Sequence, residues 1–140
     1  MDRIIVQQHK LGCGVACVAY VLKCGYSKAL RLFNQPENAD VKGYWCRELV
    51  AALAKEKVDY VHRYFKARYR KILTVPGVIV YTKRSRRYPA GHYLVRTKGG
   101  HWMNPWSNFP ESKPRRGSLQ MRLPGQITYI IFPRDLELSL

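Results

Sequence analysis

The sequence predicts an α+β fold in which N-terminal helices pack on a C-terminal antiparallel β-sheet. Two observations carry this. Apolar residues recur at helical spacing through the first part of the chain, and short β-branched or aromatic runs punctuated by Gly and Pro fill the rest. Helices first and strands second is the order of α+β folds rather than of alternating βαβ units. A chain of 140 residues can bury one modest core, so a single domain over residues 1–140 is expected.

After Gly12-Cys13-Gly14, the mostly apolar stretch from Val15 to Lys23 reads as a helix. It should stop at Cys24-Gly25, because Gly most readily takes the left-handed turn that closes a helix. Ser27 is the expected N-cap of a short helix from Lys28 to Phe33, with Ala29, Leu30 and Phe33 on one side. Pro36 and Asn38-Ala39-Asp40 close that unit. A third helix, Tyr44 to Lys57, sets Trp45, Leu49 and Leu53 at successive fourth positions, a core-facing stripe. The first strand is Asp59 to Phe65, rich in β-formers, and the second is Val78 to Tyr81, introduced by Pro76-Gly77. His92 to Thr97 and His101 to Met103 pair across the turn signal Lys98-Gly99-Gly100, and Ile127 to Phe132 is the last strand. Lys83 to Arg87 and Pro105 to Arg116 read as loops.

Hydrophobic residues at 46% and charged residues at 24% argue against disorder. No apolar run approaches the roughly 18 residues of a membrane span, and the N-terminus lacks a secretory segment, so a cytoplasmic protein with no membrane association is expected. In a reducing compartment the four cysteines, Cys13, Cys17, Cys24 and Cys46, are read as thiols. Charge is the outlier: 25 Lys and Arg against 9 Asp and Glu give +16, an excess that favours polyanions or acidic partners.

Cys13 is the sharpest chemical feature. A thiol in the first turn of a helix faces unpaired backbone N–H groups and the positive end of the helix dipole, both of which favour the thiolate. Taken alone it reads more readily as a small buried cysteine. Its companions change the weighting. Gln7, six residues earlier, can bring an amide beside the sulfur as an oxyanion donor. His92 opens an apolar strand after Gly91, and Asn104, before Pro105, closes the partner strand, so the hairpin should set them side by side. An Asn there fixes the imidazole tautomer and leaves the other ring nitrogen for the thiol. Cys, His, Asn and an upstream Gln have the chain order of a papain-type site.

Gln7, then Cys13-Gly14-Val15-Ala16-Cys17, resembles the opening signature of the C39 peptidases, papain-like proteases that remove double-glycine leaders. Further matches are Lys42-Gly43-Tyr44-Trp45-Cys46-Arg47-Glu48-Leu49, Val75-Pro76-Gly77-Val78-Ile79-Val80, Gly91-His92-Tyr93-Leu94-Val95 and Asn104-Pro105. The resemblance spans about residues 5 to 106 and implies a papain-like cysteine protease fold. It implies Cys13 as nucleophile, His92 as general acid/base, Asn104 as its orienter, and Gln7 with the Cys13 N–H as oxyanion hole. Cleavage after a small residue, Gly foremost, follows from the same likeness, with a peptide or protein substrate and no cofactor or metal. The chain departs from the family in having Gly12 where an acidic residue is usual, a short His-to-Asn interval, and Asn where Asp is commoner.

Other readings compete. A basic nucleic-acid-binding or effector module could use Lys66 to Lys71 and Lys83 to Arg87, which bring positive charge and aromatics together. A transamidase, or an enzyme removing a modifier that ends in Gly-Gly, could use the same Cys. A zinc site from His9, Cys13, Cys17 and Cys24 lacks paired ligand spacing. Cys17 and Cys24 read as core packing and Cys46 as structural, while His9, His62 and His101 are rival bases better explained as loop or sheet-surface residues.

Overall fold

The computed structural model describes residues 2–140. Its helices are α1 (Cys13–Leu22), α2 (Tyr26–Leu30), α3 (Asn38–Val41) and α4 (Cys46–Ala54). Six strands follow: β1 (Tyr60–Tyr64), β2 (Ile79–Thr82), β3 (His92–Arg96), β4 (Trp102–Asn104), β5 (Ser118–Gln120) and β6 (Ile127–Pro133). They form one sheet in the order β1-β6-β2-β3-β4-β5, with every neighbouring pair antiparallel. The α+β class and the helices-on-sheet arrangement are as the sequence predicts.

α1 is apolar almost all round, the pattern of a helix enclosed by its neighbours. Val15, Ala16, Cys17, Val18 and Ala19 are fully buried. They lie in a core with Leu49 and Leu53 of α4 and with Ile79, Val95, Met103 and Ile131 from the sheet face beneath. The opposite sheet face is also covered: Val80, Leu94, Ile130 and Phe132 pack with Tyr69 and Ile72 of a 3-10 turn, Ala67–Ile72. Burial on both faces explains why β6 carries three consecutive core residues, Ile130, Ile131 and Phe132. Each large aliphatic side chain buried in this way contributes about 1.5–3 kcal/mol.

One close approach positions the site. A Cβ on Gly14 would stand 2.9 Å from the Leu49 side chain and 3.2 Å from the Tyr93 ring. Glycine at the second residue of α1 therefore lets the helix start lie directly against β3.

Several local expectations differ from the structure. Trp45 is 64% exposed and precedes α4, so the core stripe of that helix is Leu49, Ala52 and Leu53 with Cys46. The Trp45 backbone N–H donates to the Glu48 carboxylate at 2.8 Å, which ties down the helix start and leaves the indole outside. Ser27 caps nothing: α2 begins at Tyr26, with Gly25 as its N-cap. The left-handed residue that ends α1 is Lys23 (φ 58°), whose N–H, with that of Cys24, closes the last turn on the Tyr20 and Ala19 carbonyls. Gly25 is thus spent on opening the next helix. The helical turn α3, the edge strand β5 and two 3-10 turns carried no signal strong enough to read.

Candidate active site

Cys13 is the first residue of α1 and His92 the first residue of β3. Because α1 lies against β3, both line one cavity of about 460 Å³, together with Gln7, Tyr88, Trp106 and Phe109. A second cavity of about 300 Å³ also reaches Cys13 but not His92. Cys13 therefore borders both spaces.

His92 is 3% exposed, and its Nε2 lies 2.7 Å from Asn104 Oδ1. The register of β3 with β4, Val95 opposite Met103 and Arg96 opposite Trp102, carries the two strand ends together. Asn104 is fixed on both ends. Its Oδ1 also accepts the Trp106 backbone N–H at 3.0 Å, while its Nδ2 donates to the Tyr88 hydroxyl at 3.1 Å and to Gln120 Oε1 at 3.2 Å. A reversed amide would set an NH₂ against the Trp106 N–H. The oxygen therefore faces the imidazole, the ring proton resides on Nε2, and Nδ1 is left as an acceptor.

Tyr88 holds both partners. Its ring stacks on the His92 ring at 3.9 Å between centroids and 7° between planes, and its hydroxyl donates to the Trp106 carbonyl at 2.8 Å. Burial pulls the His92 pKa down to about 4, with the Arg87 charge acting the same way and the Asn104 hydrogen bond opposing. The imidazole is neutral at pH 7.

Cys13 departs from the expectation of a depressed pKa. Packing around the sulfur pushes the thiol up to about 11. Backbone N–H groups of Tyr93 and of the helix start pull the other way and are outweighed. The residue keeps partial contact with solvent through the cavities. At pH 7 both groups are thus uncharged, Cys13 a thiol and His92 a neutral imidazole.

Gln7 is 2% exposed and lines the same cavity. Its Nε2 donates to the His9 carbonyl at 2.9 Å and the Lys10 carbonyl at 3.0 Å, so both amide hydrogens hold the loop before Cys13. Its Oε1 is buried without a partner. The Gln7 backbone N–H donates to the Pro105 carbonyl, joining this loop to the one after Asn104.

The rival residues lie elsewhere. The His9 ring bonds the Tyr26 hydroxyl at 3.0 Å, His62 is exposed on β1, and His101 Nδ1 lies 3.8 Å from the Asp2 carboxylate. All four cysteines are free, and among the described residues no three His, Cys, Asp or Glu side chains converge on a metal-sized site. Cys17 is fully buried and Cys24 packs at the margin of the core. Cys46 is more than core filling: it lines the smaller cavity and accepts the Tyr93 hydroxyl at 3.6 Å. Among the described residues no helix is long and apolar enough to cross a membrane. Sequence reasoning missed Tyr88 and Trp106. The only available signal was an aromatic four residues before His92 and another two after Asn104.

No family model matches the chain, and no curated protein sequence does. Solved structures do. The peptidase domain of Streptococcus ComA, a bi-functional ABC transporter involved in a quorum-sensing pathway, is similar with a TM-score of 0.58 and 18% identity, over 94% of this chain and 97% of that one. A double glycine motif protease from an AMS/PCAT transporter, solved in complex with the leader peptide, gives 0.54 and 17%, over 93% and 89%. The fold is that of these two peptidase domains, the papain-like arrangement that the sequence resemblance implies.

Proposed function

We propose that the chain is a cysteine peptidase that hydrolyses a peptide or isopeptide bond after a small residue, Gly foremost. The observation that carries this reading is a buried His92 bonded to Asn104 through Nε2, at a cavity that Cys13 also lines. The similarity to double-glycine peptidase domains supports the choice of substrate bond.

With a neutral resting pair, the proton leaves Cys13 Sγ for His92 Nδ1 as the sulfur attacks the acyl carbon. The ring becomes imidazolium, and Asn104 Oδ1 accepts the Nε2–H throughout, a contact that strengthens as the ring charges. The carbonyl oxygen takes up negative charge beside the Cys13 backbone N–H, which has no acceptor within the first turn of α1. Gln7 supplies the second donor by releasing one of its two loop carbonyls. Nδ1–H then protonates the leaving nitrogen, the C–N bond breaks and the amine departs, leaving a thioester on Cys13. Water adds to the thioester with its proton passing to Nδ1, and collapse returns that proton to sulfur and frees the acid.

The test is mass spectrometry of a Gly-Gly-containing peptide incubated with wild type, Cys13→Ala and His92→Ala. Wild type is expected to give cleavage after Gly and a transient adduct of the acyl mass on Cys13. Cleavage by Cys13→Ala at the wild-type rate would overturn the reading. A product joined to an added amine, not to water, would make the enzyme a transferase.

A further inference from the structure

The basic residues are unevenly placed. Residues 60–134 hold 16 Lys and Arg against a single carboxylate, Glu111. Two segments concentrate them, and the structure separates the two. In Lys83 to Arg87, Arg84 lines both cavities at Cys13 and Arg87 donates to the Ser107 carbonyl, so that segment is partly engaged around the candidate site. None of residues 66–71 lines either cavity.

The second segment is the 3-10 turn that follows β1, Ala67–Ile72, with Lys66 before it. Tyr69 and Ile72 are buried in the core on the sheet face opposite the helices, while Lys66, Arg68, Arg70 and Lys71 are exposed. Two of these four are laid on rings. The Arg68 guanidinium stands 4.8 Å from the Tyr69 ring centre and donates through Nη2 to the Tyr69 hydroxyl at 2.9 Å. The Arg70 guanidinium stands 6.0 Å from the Phe65 ring centre. Glu137, whose charge Arg68 feels, is already held by Arg63 in two hydrogen bonds of 2.8 and 2.9 Å. Among the described residues none of Lys66, Arg68, Arg70 and Lys71 forms an ion pair.

We propose that this turn is a binding surface for single-stranded nucleic acid, separate from the peptide cleft. Four cations without carboxylate partners can neutralise successive phosphates. An arginine already laid on an aromatic ring keeps its outer face for a base and its edge N–H groups for phosphate, with little rotamer freedom left to lose. Cations placed for solubility alone need no such stacking. A lipid surface would need apolar side chains turned outward, and those of this turn, Tyr69 and Ile72, are buried. An acidic peptide would meet the charge and leave the stacked planes unused.

The experiment is fluorescence anisotropy of the full chain with a labelled single strand of about 12 nucleotides of mixed sequence, across a salt series. The logarithm of the binding constant should fall against the logarithm of salt concentration with a slope of about −3, four contacts at about 0.7 each. The double variant Arg68→Glu, Arg70→Glu should bind at least about tenfold more weakly and roughly halve the slope. Arg68→Lys, Arg70→Lys, which keeps the charge and loses the planes, should keep the slope and bind about threefold to tenfold more weakly. Lys28→Glu, Arg31→Glu, the same charge change at exposed positions on the helix side, should leave binding within about twofold. Thermal unfolding checks that each variant is folded. An equal loss in the helix-side variant, wild-type binding by the lysine variant, or a duplex, polyglutamate or phosphatidylserine vesicles bound as tightly as the single strand would overturn the inference. Cleavage of a Gly-Gly peptide by the Arg68→Glu, Arg70→Glu chain should match wild type, so the peptidase reading stands or fails separately.

Discussion

Replacing Asn104 with alanine removes four hydrogen bonds at one buried point, and each loss has a separate consequence. The Trp106 backbone N–H and the His92 Nε2–H lose their acceptor, and the Tyr88 hydroxyl and Gln120 Oε1 lose a donor. Asn104 is 2% exposed, so water does not simply replace it. With about 1–3 kcal/mol for each buried group left unsatisfied, and with Gln120 free to turn, a stability loss of about 2–5 kcal/mol is expected. Catalysis should fall further than folding explains. The Nε2–H···Oδ1 bond is worth most when the ring is imidazolium, and about 1.5–3 kcal/mol for a hydrogen bond to a charged group corresponds to roughly a 10–100-fold loss in kcat. The assay pairs urea unfolding with steady-state cleavage of a Gly-Gly peptide, at a temperature where the variant is fully folded. Asn104→Asp offers the contrast: a carboxylate beside His92 should raise the ring pKa from about 4 and shift the acid limb of the pH–rate profile upward. Wild-type kcat in folded Asn104→Ala would refute the role assigned to this residue.

Four further outcomes follow from the same geometry. Tyr88→Phe should keep the stack on His92 and lose about threefold to tenfold in kcat, whereas Tyr88→Leu, which also loses the stack, should fall further and alter the pH profile; equal behaviour of the two would sink the stacking argument. The buried neutral His92 makes the fold acid-sensitive. Its pKa is lowered on folding from 6.5 to about 4, so its contribution is complete above pH 6.5 and is lost as pH falls to about 4. That is about 3 kcal/mol at most, read by urea titrations at pH 7 and pH 4 in wild type and His92→Gln. The Cys13 thiol, held near 11, should react with iodoacetamide at a rate that climbs with pH well beyond neutrality; a plateau below pH 7 would instead indicate a resting ion pair. Gly14→Ala presses a methyl into Leu49 and the Tyr93 ring and should cost about 1–3 kcal/mol, with kcat falling as α1 is pushed off β3, measured by thermal unfolding and peptide cleavage.

Much of the helix-then-sheet order was legible because it follows from local rules. The apolar surround of α1, the β-branched run at β2 and the Gly-Gly turn between β3 and β4 each state their structure within a few residues. The strand pairing that sets His92 against Asn104 was legible for the same reason, since a short hairpin fixes its own register. Trp45 misled because helical spacing says which residues share a face but not where the helix starts. Tyr88 was silent because its contacts, with His92 and Trp106, are made by a loop whose path no local pattern encodes.

The sequence by itself determined the fold class, the residue types of the candidate site and their order along the chain, all properties of local composition and periodicity. Only the tertiary structure decided the electrostatics. A helix N-terminus favours thiolate wherever it occurs, but whether Cys13 stays protonated depends on how many atoms of other elements surround the sulfur, and here that desolvation outweighs the backbone donors. The neutral His92 has the same origin. Solvation and Coulomb energies depend on distances between groups far apart in the chain, and those distances exist only once the sheet and helices have closed on one another.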